Sequence, residues 1–406
     1  MSVVFSRPYQ FVPPVRSKFW PAFVQRLRLV DRFIRKKDGV VSHKCSGLEH
    51  LRDSLSRGDG IVLAPNHSRY NDPMVMGLPA RESGTHVFAM ASWHLFNEKW
   101  FEGWAIRRMG GFSIHREGTD RKSLETAIKI VTEAQRPLVL FPEGTTSRTN
   151  DHVMPLLDGV TFIARTAARK RAKKSDGRVV IHPVAIKYLC VGDVTPWASA
   201  QLENLENQIG WYPKSNKPIR ERTVGVVEAL LSLKEIEYTG HTNTGGLVHR
   251  RDALIEHVLS TTEHRLSINN DTSQATPRTR ARQIRTEISR RYFSTSPSEA
   301  EKAALMRDAV AADLAQELTT YLEEYLLPET VTDTRIVETI QRMQESFLGK
   351  IDASIPLHGE VQVDEPIEVP AAKAPKGQSD TVLEQVSERL HTMIGQLAKS
   401  AKSLKI

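Results

Sequence analysis

Between residues 40 and 190 short apolar runs alternate with helical stretches, and few folds accommodate that rhythm. Val40 to Cys45, Gly60 to Ala64, His86 to Met90, Phe112 to His115, Leu138 to Phe141 and Val179 to Ile186 read as strands. Trp93 to Met109, Arg121 to Gln135 and Val160 to Lys173 carry helical patterning between them. The alternation predicts a layered α/β core. After Tyr188 the pattern changes, and residues 200 to 350 read as helices around Leu202 to Gln208, Pro218 to Lys234, Leu247 to Ser267, Arg278 to Tyr292, Ser298 to Leu326 and Arg335 to Leu348. His358 to Val369 then returns to strand spacing, with Val361 and Val363 alternating, and Asp380 to Lys399 reads as a terminal helix. Polar residues 269–277 and the Pro- and Ala-rich stretch 366–379 read as a loop and a linker.

The segment Ala64-Pro65-Asn66-His67-Ser68-Arg69-Tyr70-Asn71-Asp72-Pro73 sits at an expected strand-to-helix junction. Residues five apart on a regular helix point about 140° away from each other at ~3.6 residues per turn, so Asp72 reaches the His67 imidazole only through a turn. Such a pair suits general-base chemistry. An imidazole with an ordinary pKa near ~6.5 takes a proton from a hydroxyl at neutral pH, and a carboxylate on its other nitrogen fixes the tautomer. Spacing alone decides nothing, because His115 and Asp120 stand at the same separation.

Context separates the two pairs. The blocks Asn66-His67…Asp72-Pro73, Gly110-Gly111-Phe112-Ser113-Ile114-His115-Arg116, Phe141-Pro142-Glu143-Gly144-Thr145 and Ile181-His182-Pro183-Val184-Ala185-Ile186 follow one another in that order. Together they resemble the four motifs of the glycerolipid acyltransferases, the family that includes lysophosphatidate acyltransferase. The resemblance implies a glycerol-3-phosphate acyltransferase-like fold, a layered mixed sheet with flanking helices, here carrying a large all-helical insertion. It divides the chain into a basic amphipathic segment at 1–39, the acyltransferase domain at 40–199, the insertion at 200–350 and the completion of the domain at 351–399.

It also implies roles. His67 is the expected general base and Asp72 its orienting carboxylate, with Arg116, Glu143, Gly144 and Thr145 expected to hold the acceptor. The implied reaction is attack of an acceptor hydroxyl on an acyl thioester, with acyl-CoA or acyl carrier protein as co-substrate and no cofactor. Backbone N–H groups beside Gly144 are candidate donors to the oxyanion. The sequence departs from the family pattern at Thr146, where many members have arginine, and Arg148 is the compensating phosphate-contact candidate. It departs again at Leu157 and Asp158, where members that bind phosphorylated acceptors often carry lysines. The acceptor expected on this reading is 1-acylglycerol 3-phosphate, with glycerol 3-phosphate or another lyso-lipid as the alternative. A catalytically silent lipid-binding or scaffold protein is the rival from outside the enzymes.

His182, inside an apolar run, reads as a core histidine. Cys45 and Cys190 are the only cysteines, too few for a disulfide framework or a metal-ligand pattern, and no metal site is expected. No apolar window approaches the ~20 residues of a membrane-spanning helix, so the expected location is cytoplasmic and peripheral at the inner face of the membrane.

Charge points to the contact surface. Residues 1 to 40 hold nine Lys or Arg against Asp31 and Asp38, a local +7 beside a whole-chain +8. Phe19, Phe23, Leu27, Val30 and Ile34 fall at helical spacing there. Two readings remain open, a helix lying in the headgroup plane of a lipid surface or a stripe docked on the catalytic domain. No nucleic-acid-binding module accompanies the basic excess. The insertion is equally open between cover for an acyl tunnel, a homo-oligomer contact and a recruiting surface.

Overall fold

A computed structural model describes residues 3–404 apart from 119, 174–176, 214–215, 269–274, 295 and 373–379. The expected loop at 269–277 lies largely outside the described residues, as does the second half of the linker expected at 366–379, whose first half instead forms a short strand at Ile367–Glu368 paired to residues 180–181.

The chain opens with helices α1 (Phe19–Arg26) and α2 (Leu29–Asp38), followed by β1 (Val40–Ser46), α3 (Leu48–Ser56), β2 (Gly60–Pro65), α4 (Asp72–Val75) and α5 (Gly77–Glu82). Next come β3 (Phe88–Ser92), α6 (Trp100–Arg108), β4 (Gly111–Ile114), α7 (Arg121–Glu133), β5 (Leu138–Val139), α8 (Gly159–Ala172) and β6 (Val179–Cys190). A helical run of α9 (Thr195–Gln208), α10 (Ile219–Thr239), α11 (Leu247–Arg265), α12 (Pro277–Ser294), α13 (Glu299–Leu318) and α14 (Asp333–Leu348) precedes β7 (Leu357–Val363), β8 (Ile367–Glu368) and α15 (Thr381–Ala398).

The sheet order is β1-β7-β6-β2-β5-β3-β4, with β8 also on β6. Strands β6, β2, β5, β3 and β4 are mutually parallel, whereas β7 pairs antiparallel with β6 and parallel with β1. The fold is thus α/β with a mixed sheet, as expected. Because β6 and β7 are sheet neighbours, residues 191–356 leave and rejoin the sheet at one place, which makes the helical section an insertion in the physical sense. Central strand β2 is buried along its whole length, as its continuous apolar run requires.

Alternation along β6 feeds two cores. Val179, Ile181 and Ala185 pack with Ile128, Ile163 and Leu390 of α7, α8 and α15. Val184, Ile186 and Tyr188 pack on the other face with Ile34, Leu51, Leu78 and Val337. The insertion has its own cores: α11, α12 and α13 share Leu254, Ile284, Ala309 and Ala312, while α9, α10 and α14 share Leu202, Val226 and Ile340. Helix α13 begins on a capping box, Ser298 with Glu301.

Three expected elements differ. The stretch Trp93 to Met109 is broken into a 3₁₀ turn, Trp93–Phe96, and α6, because Asn97 Nδ2 donates to Trp93 O at 2.7 Å and Lys99 is extended. The helix expected from Ser298 to Leu326 stops at Leu318, leaving a short 3₁₀ turn at Glu323–Tyr325. The N-terminal stripe is split by Arg28, whose φ of 49° is left-handed. Beyond the break Val30 and Ile34 are buried at 5% and 1% exposure, while before it Phe19 is 65% exposed. The docked-stripe reading therefore holds for α2, while α1 leaves Phe19 exposed.

Candidate functional site

The end of β2 delivers the site. Asn66 extends the β2–β6 ladder with its side chain, Nδ2 donating to Ile186 O at 3.0 Å and Oδ1 accepting from Ile186 N at 2.7 Å. That clamp fixes the direction in which the chain leaves the sheet, and His67 is the next residue. A turn closed by Asp72 N donating to Arg69 O at 3.1 Å then brings Asp72 back under the imidazole. His67 Nδ1 and Asp72 Oδ2 lie 3.0 Å apart. The five-residue spacing works because residues 68–71 are not helical and α4 starts only at Asp72.

Asp72 is fully buried and accepts two further hydrogen bonds, from Arg69 N at 2.8 Å and from the Tyr188 hydroxyl at 2.5 Å. Burial holds the Tyr188 phenol well above its ordinary pKa, so it stays a donor. With Nδ1 facing Asp72, Nε2 is the outward nitrogen, and Thr146 Oγ1 lies 3.3 Å from it. Phe141 packs against the ring at 4.1 Å between centroids. The main chain of His67 is held as firmly, its O accepting from Ser147 N at 2.6 Å and Ser147 Oγ at 3.1 Å.

The same-spaced pair is different. Asp120 caps α7 by accepting from Ser123 N and also accepts from His115 N at 3.1 Å, so its contact is with the backbone of His115. The His115 ring stacks on Tyr9, and Nε2 lies 3.5 Å from Glu117. No imidazole–carboxylate pair forms between His115 and Asp120 among the described residues. His182 is a core histidine, bonded to Asp364 O and Ser54 Oγ, and burial pushes it down to about 4.

Glu143 occupies a place other than the acceptor-facing one expected of it. Its side chain is buried, with Oε1 accepting from His67 N at 2.6 Å and Oε2 from Met154 N at 2.9 Å. Both oxygens hold backbone, so the residue braces the two loops of the site from beneath. Burial, with a smaller push from the Asp72 carboxylate, raises its carboxyl to about 8. The unfolded chain releases this proton near ~4.3, whereas the folded protein keeps it until about 8. Between those values the unfolded state binds fewer protons, so this group's contribution to stability is full at low pH and declines as pH rises. We expect urea unfolding midpoints of the wild type to fall more between pH 5 and pH 8 than those of Glu143→Gln. Equal slopes would contradict the assignment.

Gly144 has φ +69°, a conformation that favours glycine, and a Cβ there would meet Leu157 Cδ1 at 2.4 Å and displace that side chain. Leu157, one of the departures from the family pattern, is the side chain that closes on it. The Gly144 N–H donates to Phe141 O at 3.0 Å and is occupied. The N–H groups of Thr145 and Thr146 have no hydrogen-bond partner among the described residues and are the free donors beside the imidazole. Thr145 Oγ1 accepts from Gln316 Nε2 of α13 at 2.9 Å. Arg148, also left-handed at φ 59°, is ion-paired with Glu345 of α14 and lies over the Tyr70 ring at 4.6 Å. It is thus tied to the insertion. Arg116, just past β4, is half-buried with no hydrogen-bond or ion-pair partner among the described residues.

Several residues escaped the sequence reading. Helix α14 reaches the loops around His67 and Ser147 through Gln341, which accepts from Arg69 Nη2 at 3.1 Å, and Glu338, which accepts from Asn150 N at 3.1 Å. A cavity of about 190 Å³ lies between them, lined by Ser68, Arg69, Tyr70, Arg148 and Arg342. Arg342 also borders a groove of about 1310 Å³ in the insertion, lined by Leu230, Leu314, Leu318 and Tyr321. Tyr188 alone had a local signal, since it shares strand parity with Val184 and Ile186.

Residues 43–187 match the family model described as Acyltransferase. Over 119 residues the chain is 30% identical to the 1-acyl-sn-glycerol-3-phosphate acyltransferase of Streptococcus pneumoniae (strain ATCC BAA-255 / R6), an alignment covering 29% of this chain and 42% of that protein. The chain thus spans less than half the length of that curated relative.

Proposed function

We propose, from the match of residues 43–187 to the Acyltransferase family model and the likeness to a 1-acyl-sn-glycerol-3-phosphate acyltransferase, that the chain is an O-acyltransferase acting on a lyso-glycerolipid, with 1-acylglycerol 3-phosphate as acceptor and a fatty acyl thioester of coenzyme A or acyl carrier protein as donor. The observation that carries this reading is the His67–Asp72 contact with Nε2 turned outward. His67 Nε2 takes the proton of the acceptor hydroxyl as its oxygen attacks the thioester carbonyl. The N–H groups of Thr145 and Thr146 donate to the tetrahedral oxyanion. Collapse breaks the C–S bond, and the imidazolium returns its proton to the departing sulfur. The products are an ester and a free thiol. Asp72 stabilises the imidazolium throughout without taking the proton. The test is mass-spectrometric identification of product after mixing protein, long-chain acyl-CoA or acyl carrier protein, and 1-acylglycerol 3-phosphate. Diacylglycerol 3-phosphate is expected, and no acylated product from any lyso-glycerolipid or glycerol 3-phosphate would overturn the reading.

A lipid surface is the proposed working environment, at the inner face of the membrane. Among the described residues no helix is long and apolar enough to cross a membrane. Helices α1 and α6 instead expose aromatics on one surface: Phe19 and, at 81% exposure, Trp100, with Phe23 and Phe101 beside them. The two helices meet through Trp20 and Trp104 at 5.2 Å, and Arg108 lies over both rings. Indole and phenyl rings fringed by arginine suit the headgroup region of an anionic bilayer. Replacing Phe19 and Trp100 together with serine is expected to lower binding to phosphatidylglycerol vesicles about tenfold or more, since each ring buries an area worth roughly 1.5–3 kcal/mol. Unchanged sedimentation with vesicles would remove this surface from the proposal.

A further inference from the structure

Arg116 is a cation without a contact ion pair among the described residues. Its side chain is half-buried and desolvated, which pushes its guanidinium below the ordinary arginine pKa, and among the described residues it makes neither a hydrogen bond nor an ion pair. The adjacent Glu117 attracts it only at a distance, because that carboxylate faces His115 Nε2 at 3.5 Å. A second guanidinium, Arg285 of α12, is close enough to repel it. A desolvated guanidinium with a second one nearby is costly to hold, and a bound anion offsets that cost.

Arg285 is itself buried and held in a fixed pose. Nη1 donates to Asp313 Oδ1 at 3.1 Å and Nη2 to Gln316 Oε1 at 2.7 Å, both on α13. A guanidinium has five N–H donors, so others remain for a ligand. The other end of Gln316 donates to Thr145 Oγ1 at 2.9 Å, and the next residue, Thr146, stands 3.3 Å from His67 Nε2. A relay of side chains thus ties Arg285 to the loop beside the proposed base. Helix α12 is fastened there independently by Arg278, which donates to Glu143 O at 2.9 Å and Pro155 O at 2.8 Å. Of the remaining arginines of α12, Arg280 pairs with Glu256 and Glu263, Arg290 and Arg291 pair with Glu287, and Arg282 is exposed to solvent.

We propose that Arg285, delivered by the helical insertion, joins Arg116 as the second guanidinium of a phosphate site and so determines specificity for a phosphorylated acceptor. This rests on the acyl-transfer reading for the identity of the acceptor, while the anion site stands on the two arginines. Leu157 and Asp158 bring no cation to this side of the site, and the insertion supplies one. Forked N–H pairs from two directions match the oxygens of a phosphate monoester, which is why lysine replaces arginine poorly at such places.

The experiment compares wild type, Arg285→Gln and Arg285→Lys with 1-acylglycerol 3-phosphate and with its unphosphorylated counterpart, 1-acylglycerol. Arg285→Gln is expected to raise KM for the phosphorylated acceptor about tenfold or more, the effect of losing charge-assisted hydrogen bonds, and to leave the ratio kcat/KM for 1-acylglycerol within about twofold. Arg285→Lys should recover part of the loss. Equal losses on both acceptors, or no change on either, would overturn the assignment. In parallel, titration calorimetry with glycerol 3-phosphate reads the site without turnover. Binding weakened by Arg285→Gln in a protein that acylates no acceptor would sink the acyl-transfer reading and keep the anion site. Binding that is absent in the wild type or indifferent to Arg285 would sink the anion site.

Discussion

His67→Ala is expected to lower acceptor-dependent thiol release about 10²- to 10⁴-fold, the range supplied by a positioned general base, while His115→Ala keeps most of the activity. The two histidines have the same sequence relation to an aspartate and different physical settings. His67 Nδ1 meets Asp72 Oδ2 at 3.0 Å, whereas His115 meets Asp120 only through its main-chain N–H and stacks its ring on Tyr9. The neighbouring loops are held by the His67 backbone and by Glu143, so His67→Ala should remain folded, and near-identical circular dichroism would verify it. Comparable losses in the two variants would contradict the assignment of the base.

Asp72→Asn is expected to cost about as much activity as losing the base, because an asparagine that accepts from Nδ1–H with its one oxygen turns amide hydrogens toward the other donors. In the wild type three donors converge on the buried carboxylate: the imidazole, Arg69 N and the Tyr188 hydroxyl. Leaving any of them unpaired costs roughly 1–3 kcal/mol, so a lowered unfolding temperature should accompany the loss of kcat. Tyr188→Phe removes one donor and leaves the imidazole contact, and a reduction nearer tenfold is expected from one charge-assisted bond of about 1.5 kcal/mol. The pair separates two functions of Asp72. If Tyr188→Phe lowered kcat as far as Asp72→Asn, the tautomer would not be what Asp72 controls.

Local pattern made the frame of this chain legible. A continuous apolar run announced β2, helical periodicity announced α7 and α8, and the return of strand spacing after residue 350 announced β7, which lies between β1 and β6. The turn joining His67 to Asp72 followed from their separation, since no regular helix brings residues five apart together. What stayed hidden was tertiary. Tyr188 reaches Asp72 across 116 positions, Gln316 reaches Thr145 across 171, and Glu345 reaches Arg148 across 197. No window of sequence encodes such pairings. The resemblance named Glu143 but not its orientation, because burial against two backbone N–H groups depends on where two loops meet. Phe19 and Ile34 looked like one stripe, and a single left-handed residue, Arg28, set them on separate helices.

The most direct test of the proposed chemistry follows thiol release from a long-chain acyl thioester with and without 1-acylglycerol 3-phosphate, together with the intact mass of the protein. Attack by a base-activated acceptor hydroxyl requires release only when acceptor is present, one ester per thiol, no acyl adduct on the protein, and loss of release in His67→Ala. An acceptor-independent burst with an acylated protein, or release that survives His67→Ala, would contradict it.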